Sequence, residues 1–132
     1  MKYLLAVLLV VVLLVSCSRK STPQENGAEN SYRRISQEEA KTMMDEQDVI
    51  ILDVREQSEY DGGHIAGAVL LPVGSIDEES AADVIPEKDS VVLVYCRSGN
   101  RSKTASQALA DLGYINIYEF GGVITWSYGL VR

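Results

Sequence analysis

Val91-Val92-Leu93-Val94-Tyr95-Cys96, followed directly by Arg97-Ser98-Gly99-Asn100-Arg101-Ser102, is the stretch whose reading decides this chain. An apolar run of strand length without polar alternation predicts a strand buried on both faces, here residues 90–95. Beyond it, residues 101–112 carry Ala105, Ala108, Leu109 and Leu112 at helical spacing, and Gly113 supplies a stop. Cys96 thus stands where a strand ends and a glycine-containing loop with two arginines leads into a helix. Backbone N–H groups of such a loop can converge on one point, and the helix adds its positive N-terminal end. The nearby arginines favour thiolate over thiol, and the thiolate is the reactive form. The alternative is an inert core cysteine, but a core has no use for Arg-Ser-Gly-Asn-Arg immediately behind it.

Outward from this stretch, strands and helices alternate. Tyr32-Arg33-Arg34-Ile35 predicts a short edge strand, and Ser36 with Glu39 predicts a capping box for a helix whose apolar stripe is Ala40, Met43 and Met44. Val49-Ile50-Ile51-Leu52-Asp53-Val54 is a second doubly buried strand, and Ala68-Val69-Leu70-Leu71 before Pro72 a third. Residues 76–85 form an acidic helix stopped by Pro86. Ile115-Asn116-Ile117-Tyr118 is the last strand, and residues 123–128 a short closing helix. Such alternation implies an α/β fold with a mostly parallel central sheet flanked by helices. Ligands in sheets of this kind sit beyond the carboxyl ends of the strands, where Cys96 lies.

The N-terminal part reads differently. After Lys2 comes an uncharged apolar run through Val15, shorter than the roughly 20 residues a spanning helix requires. It has the character of a secretory h-region. Leu14-Val15-Ser16-Cys17 at its end resembles the lipobox of bacterial lipoproteins. That resemblance implies cleavage before Cys17 and lipidation of its thiol. The expected organisation is a signal peptide over residues 1–16, a lipidated N-terminus and flexible tether over 17–31, and one domain over 32–132. The expected location is extracytoplasmic, anchored by lipid to a bacterial membrane and facing the periplasm if the cell has two membranes.

Composition narrows the function classes. The formal charge of −7 becomes −8 once residues 1–16, with Lys2 as their one charge, are removed. An acidic domain offers no basic face to nucleic acid. Of two cysteines, Cys17 is assigned to lipid, so neither a disulfide framework nor a cysteine metal cluster can be built, and a single His excludes a His-rich site.

Residues 32–132 resemble a single-domain rhodanese, a sulfurtransferase module, along their whole length. The resemblance rests on three signatures in order. The first is Leu52-Asp53-Val54-Arg55-Glu56 with Glu59-Tyr60 and Gly63-His64-Ile65-Ala66-Gly67-Ala68. The second is the loop 96–102, and the third Glu119-Phe120-Gly121-Gly122 with Trp126. It implies a rhodanese-like three-layer fold and a Cys96 that carries a persulfide during turnover. It also implies a thiosulfate-like donor and a thiol or cyanide acceptor. A thioredoxin-like or sulfur-relay protein is a further possible partner, and no metal or organic cofactor is called for. A relay module serving only a docked protein is the second reading. Phosphatases that use a cysteine place five residues between it and the arginine. Here four, Arg97 to Asn100, precede Arg101, a ring suited to one added sulfur atom.

The loop residues take distinct roles. Arg97, Ser98, Gly99, Asn100, Arg101 and Ser102 form the substrate-binding loop, with Arg97 at the mouth and Gly99 permitting the backbone geometry. Arg101 is expected to brace the loop against Asp53, since a buried Asp requires a partner. Ser102 is either a hydroxyl donor or a plain helix cap. Asp53 and Arg55 are pocket scaffold, with Arg55 alternatively facing substrate. His64 is expected to be structural, bonded within the turn 63–67, and Trp126 and Tyr128 to serve as core and lid. A monomer is expected.

Overall fold

The computed structural model describes residues 30–132; the expected signal segment, Cys17 and all but the last two tether residues lie outside the described residues. In chain order the elements are β1 (Arg33–Arg34), α1 (Gln37–Glu46), β2 (Ile50–Asp53), α2 (Gln57–Gly62), β3 (Val69–Leu70), α3 (Glu78–Val84), β4 (Val92–Cys96), α4 (Asn100–Asp111) and β5 (Ile117–Gly122). Short 3-10 turns lie at Val73–Ser75 and Val123–Thr125. The five strands pair in the order β1-β5-β4-β2-β3, and every pairing is parallel.

The apolar run before Cys96 is the central strand. All of β4 is buried, because paired neighbours flank it and helices cover both faces. Side-chain alternation along a strand then decides which residue meets which layer. Val92, Val94 and Cys96 pack with Ala81 and Ile85 of the α3 segment and Ala105 and Leu109 of α4. Leu93 and Tyr95 face the other way, toward Ala40, Met43 and Met44 of α1 and Tyr60 of α2. Each fully buried aliphatic side chain contributes roughly 1.5–3 kcal/mol relative to exposure. The result is a three-layer α/β fold, with Cys96 on the side that α4 covers.

One element has no counterpart in the sequence reading, and two local expectations change. The segment after Val54 is helical: α2 starts with a capping box in which Glu56 and Glu59 bond reciprocally through side chain and amide. A glutamate cap lacks the usual Ser, Thr, Asp or Asn signal. Strand β5 runs on through Glu119 to Gly122, past its expected end at Tyr118. The closing helix contracts to Val123–Thr125, because the chain must turn back to pair His64 with Val131 in an antiparallel bridge. Elsewhere Ser36 Oγ accepts the Glu39 amide at 3.0 Å, the cap half of the expected box.

Candidate active site

Cys96 ends β4 with its side chain 1% exposed, and the chain beyond it must reverse direction within three residues to start α4. Gly99 makes that reversal, as the N-cap of α4 in the left-handed region at φ 101°, where a Cβ would be strained. Its amide then points back at the cysteine, 3.1 Å from Sγ. The amides of Ser98 and Ser102 also favour the thiolate. Burial alone would push the Cys96 thiol up. The Ser102 hydroxyl and the three amides outweigh it and leave the thiol below its ordinary value.

The floor of the loop is β5. Gly122 pairs in register with Cys96, with a local irregularity between Val94 and Cys96. A side chain at Gly122 would collide with the Arg97 carbonyl and stand 2.6 Å from the Ser98 nitrogen. The Ile124 amide holds the same Arg97 carbonyl at 3.1 Å, and Gln37 Nε2 holds the Gly122 carbonyl at 2.9 Å. The Gly-Gly pair of the third signature is therefore a close-approach surface for the cysteine loop.

The remaining loop residues divide by exposure. Gly99 is buried, whereas Arg97, Ser98 and Asn100 reach solvent, and the Arg97 guanidinium has no partner among the described residues. Arg101 does not reach Asp53 as expected. Its guanidinium forms a two-pronged pair with Glu59 of α2, at 2.7 and 2.9 Å. That hydrogen bond is the main reason the Glu59 carboxyl is held down at about 2. The helix that carries Glu59 was not foreseen, so its carboxylate was not available as a partner. Ser102 lies inside α4 and is not its cap; its hydroxyl stands 3.4 Å from Cys96 Sγ.

Asp53 is satisfied elsewhere. It accepts from Arg55 Nε and Nη2, from the Arg55 amide, and from the Tyr95 hydroxyl at 2.6 Å. Arg55 is 5% exposed and also donates from Nη2 to the Gly63 carbonyl at 2.7 Å. The Tyr95 hydroxyl also accepts the Ile65 amide. Asp53, Arg55 and Tyr95 therefore anchor the segment 63–65 to the sheet on the face opposite Cys96.

His64 stacks on Tyr60 with ring centroids 3.7 Å apart, and its Nδ1 donates to the Tyr60 carbonyl at 2.9 Å. Its ring partner therefore lies in α2 and not within the turn 63–67. Trp126 packs on Phe120 and Tyr128 edge-on against Trp126. Among the described residues no group of three or more His, Cys, Asp or Glu could hold a metal ion. Among them no helix is long and apolar enough to cross a membrane.

One buried residue was missed as a site member. Glu119 is 1% exposed in β5, and its Oε1 accepts from Ser102 Oγ at 2.6 Å and from the Gly121 amide at 2.8 Å. Its Oε2 takes the Arg34 Nε at 3.2 Å. A glutamate between Ile117 and Phe120 was the available signal, since a buried charge is rarely without an arranged partner.

Comparison with known proteins agrees with this geometry. The family model for the rhodanese-like domain matches residues 36–127. The thiosulfate sulfurtransferase GlpE of Coxiella burnetii is 36% identical over 97 residues, covering 73% of this chain and 88% of that protein. The thiosulfate sulfurtransferase PspE of Escherichia coli is 33% identical over 72 residues, 54% of this chain and 68% of that one. Among solved structures, the rhodanese-like domain of the Anabaena Alr3790 protein superposes with TM-score 0.64 at 28% identity, over 70% of this chain and 71% of that chain. A rhodanese with anions from E. coli gives TM-score 0.60 at 29% identity, over 64% and 99% respectively. A strand-end cysteine under converging amides, on a three-layer parallel α/β scaffold with these relatives, places the chain in the rhodanese-like domain family, as an enzyme of the thiosulfate sulfurtransferase type.

Proposed function

We propose that this enzyme moves a sulfane sulfur from thiosulfate or a similar donor to a thiophilic acceptor through a persulfide on Cys96. The observation that carries the reading is the Gly99 amide 3.1 Å from Sγ, with the amides of Ser98 and Ser102 also favouring the thiolate. In the first half-reaction the Cys96 thiolate attacks the outer sulfur of thiosulfate. The S–S bond of the donor breaks, and its electron pair leaves with sulfite. The new terminal sulfur carries the negative charge, and loop N–H groups stabilise it. In the second half, cyanide or a thiolate attacks that sulfur and the Cys96 thiolate leaves. This is covalent catalysis of the ping-pong kind. Arg97, exposed and unpaired among the described residues, attracts the donor's sulfonate oxygens. Arg101 keeps the loop in place through Glu59.

Mass spectrometry after thiosulfate treatment tests this. The expected result is a gain of about 32 daltons on Cys96, one sulfur on a reactive thiolate, removed by cyanide and absent in Cys96→Ser. No adduct from thiosulfate, but one from a persulfidated protein, would replace the small donor with a sulfur-relay partner. Untouched thiosulfate consumption in Cys96→Ser would overturn the reading.

The setting is proposed from sequence alone. Leu14-Val15-Ser16-Cys17 supports a lipid-anchored enzyme outside the cytoplasm, acting as a monomer at a membrane surface. Metabolic labelling with a fatty acid tests it; the expected label on the wild-type chain is lost in Cys17→Ala.

A further inference from the structure

Two groups able to carry negative charge, Cys96 and Glu119, meet the same hydroxyl. Ser102 Oγ lies 3.4 Å from the Cys96 sulfur and 2.6 Å from Glu119 Oε1. A serine hydroxyl has one hydrogen to donate, so it can serve only one of the two anions at a time. In one arrangement Glu119 is ionised, Ser102 donates to it, and the Cys96 thiol donates to Ser102. In the other, Cys96 is the thiolate and receives the Ser102 hydrogen, while Glu119 holds the proton and donates it to Ser102. Both arrangements satisfy all three groups. With both groups ionised, one buried anion loses its hydroxyl donor, which is costly where Cys96, Ser102 and Glu119 are each at most 1% exposed.

We propose that Glu119 holds the Cys96 proton through Ser102, so that the pair shares a single negative charge and the thiolate forms by a proton shift inside the protein. Glu119 touches no substrate and is a positioning residue for the charge. This rests on the sulfur-transfer reading above. The step balances: the S–H proton passes to Ser102 Oγ as the Ser102 proton passes to Glu119. Sulfur transfer to Cys96 and onward to the acceptor then leaves a thiolate, which takes the proton back by the reverse path. The charged surroundings are few. Arg34 of β1 faces Oε2 of Glu119, and Arg101 of α4, paired with Glu59 of α2, exerts its charge on Cys96. From β2 and β4, Asp53, Arg55 and Tyr95 form a closed network on the opposite face. Arg34 stabilises the ionised carboxylate, and so opposes the thiolate arrangement.

The test is the rate of Cys96 alkylation by iodoacetamide between pH 4 and 10, read by peptide mass spectrometry on the full chain so that Cys17 is scored separately. The wild type is expected to show two steps with a plateau between them, since one proton is shared across that range. Glu119→Gln is expected to show one step, about one to two pH units below the wild-type upper step, because a nearby negative charge is gone. Ser102→Ala is expected to lose the plateau without lowering the midpoint. A single-step wild-type profile, or a Glu119→Gln midpoint at or above that of the wild type, overturns the proposal. Should Glu119→Gln fail to fold, Arg34→Gln decides, since removing the exposed cation is expected to raise the plateau severalfold. An unchanged or lower plateau in that variant overturns it. A two-step profile in a protein that takes no sulfur from any donor would sink the sulfur-transfer reading and leave the shared proton standing.

Discussion

Gly122→Ala is the sharpest perturbation the loop geometry offers. Gly122 has φ −155°, an extended conformation open to any residue, so backbone strain plays no part. The effect comes from the methyl group, which would collide with the Arg97 carbonyl and stand 2.6 Å from the Ser98 nitrogen. Ordinary contact between such atoms begins at about 3.5 Å, so the Arg97 carbonyl, the tightest contact, must move off the strand by about 1.5 Å. Overpacking of this kind costs about 1–3 kcal/mol, which in a domain of about 100 residues lowers Tm by roughly 4–8 °C per kcal/mol. The separation also takes the Ser98 and Gly99 amides off the sulfur. A misplacement of about 1 Å in reacting groups costs on the order of a hundredfold in rate. Single-turnover transfer from thiosulfate, followed by the release of sulfite, should fall by about that factor while circular dichroism shows a folded protein. Wild-type rate and Tm together would refute the claim that β5 sets the position of the cysteine loop.

Other outcomes are expected from single groups. Arg97→Ala should raise KM for thiosulfate about tenfold, the effect of roughly 1.4 kcal/mol for one lost charge-assisted contact, with Tm unchanged; an unaltered KM would remove Arg97 from donor binding. A double-mutant cycle with Arg101→Met and Glu59→Gln should give about 1 kcal/mol of coupling at pH 7, discounted for partial exposure. The Glu59 carboxyl is lowered from 4.5 to about 2. That stability is therefore fully present above pH 4.5 and is lost as pH falls toward 2, and coupling that persists below pH 2 would contradict the assignment. Tyr95→Phe removes a donor from buried Asp53 and an acceptor from the Ile65 amide. Denaturant titration should show a loss of about 1–3 kcal/mol with sulfur transfer retained, and an equal loss of transfer would mean this network does shape the Cys96 pocket.

Much of the site was legible because local rules govern it. A strand with no polar face has to be central, and a strand of that kind ending in Cys96 before a glycine-bearing loop delivers the thiol to the carboxyl edge of a parallel sheet. Gly99 belongs with it for the same reason, since only a residue without Cβ turns there without strain. Pairing over long sequence distances stayed hidden. Arg101 is expected to meet Asp53 because a buried Asp needs a partner, yet Asp53 Oδ atoms are filled by Arg55, two residues away, and by Tyr95. Glu59 was read as part of a signature without the helix that aims it. Glu119 was read the same way, although its burial makes it the most heavily bonded carboxylate beside Cys96.

By itself, then, the order of residues determined the alternating α/β plan, the thiol at the end of the central strand and the turn that brings a backbone amide to it. These depend on periodicity, conformational sterics and neighbours within a few positions. Tertiary structure alone decided which polar groups meet: Arg101 with Glu59, Arg34 and Ser102 with Glu119. It also decided how closely Gly122 lets β5 approach the loop. Burial removes water as the default partner, and the surviving pairs are those the packed layers bring within hydrogen-bond reach.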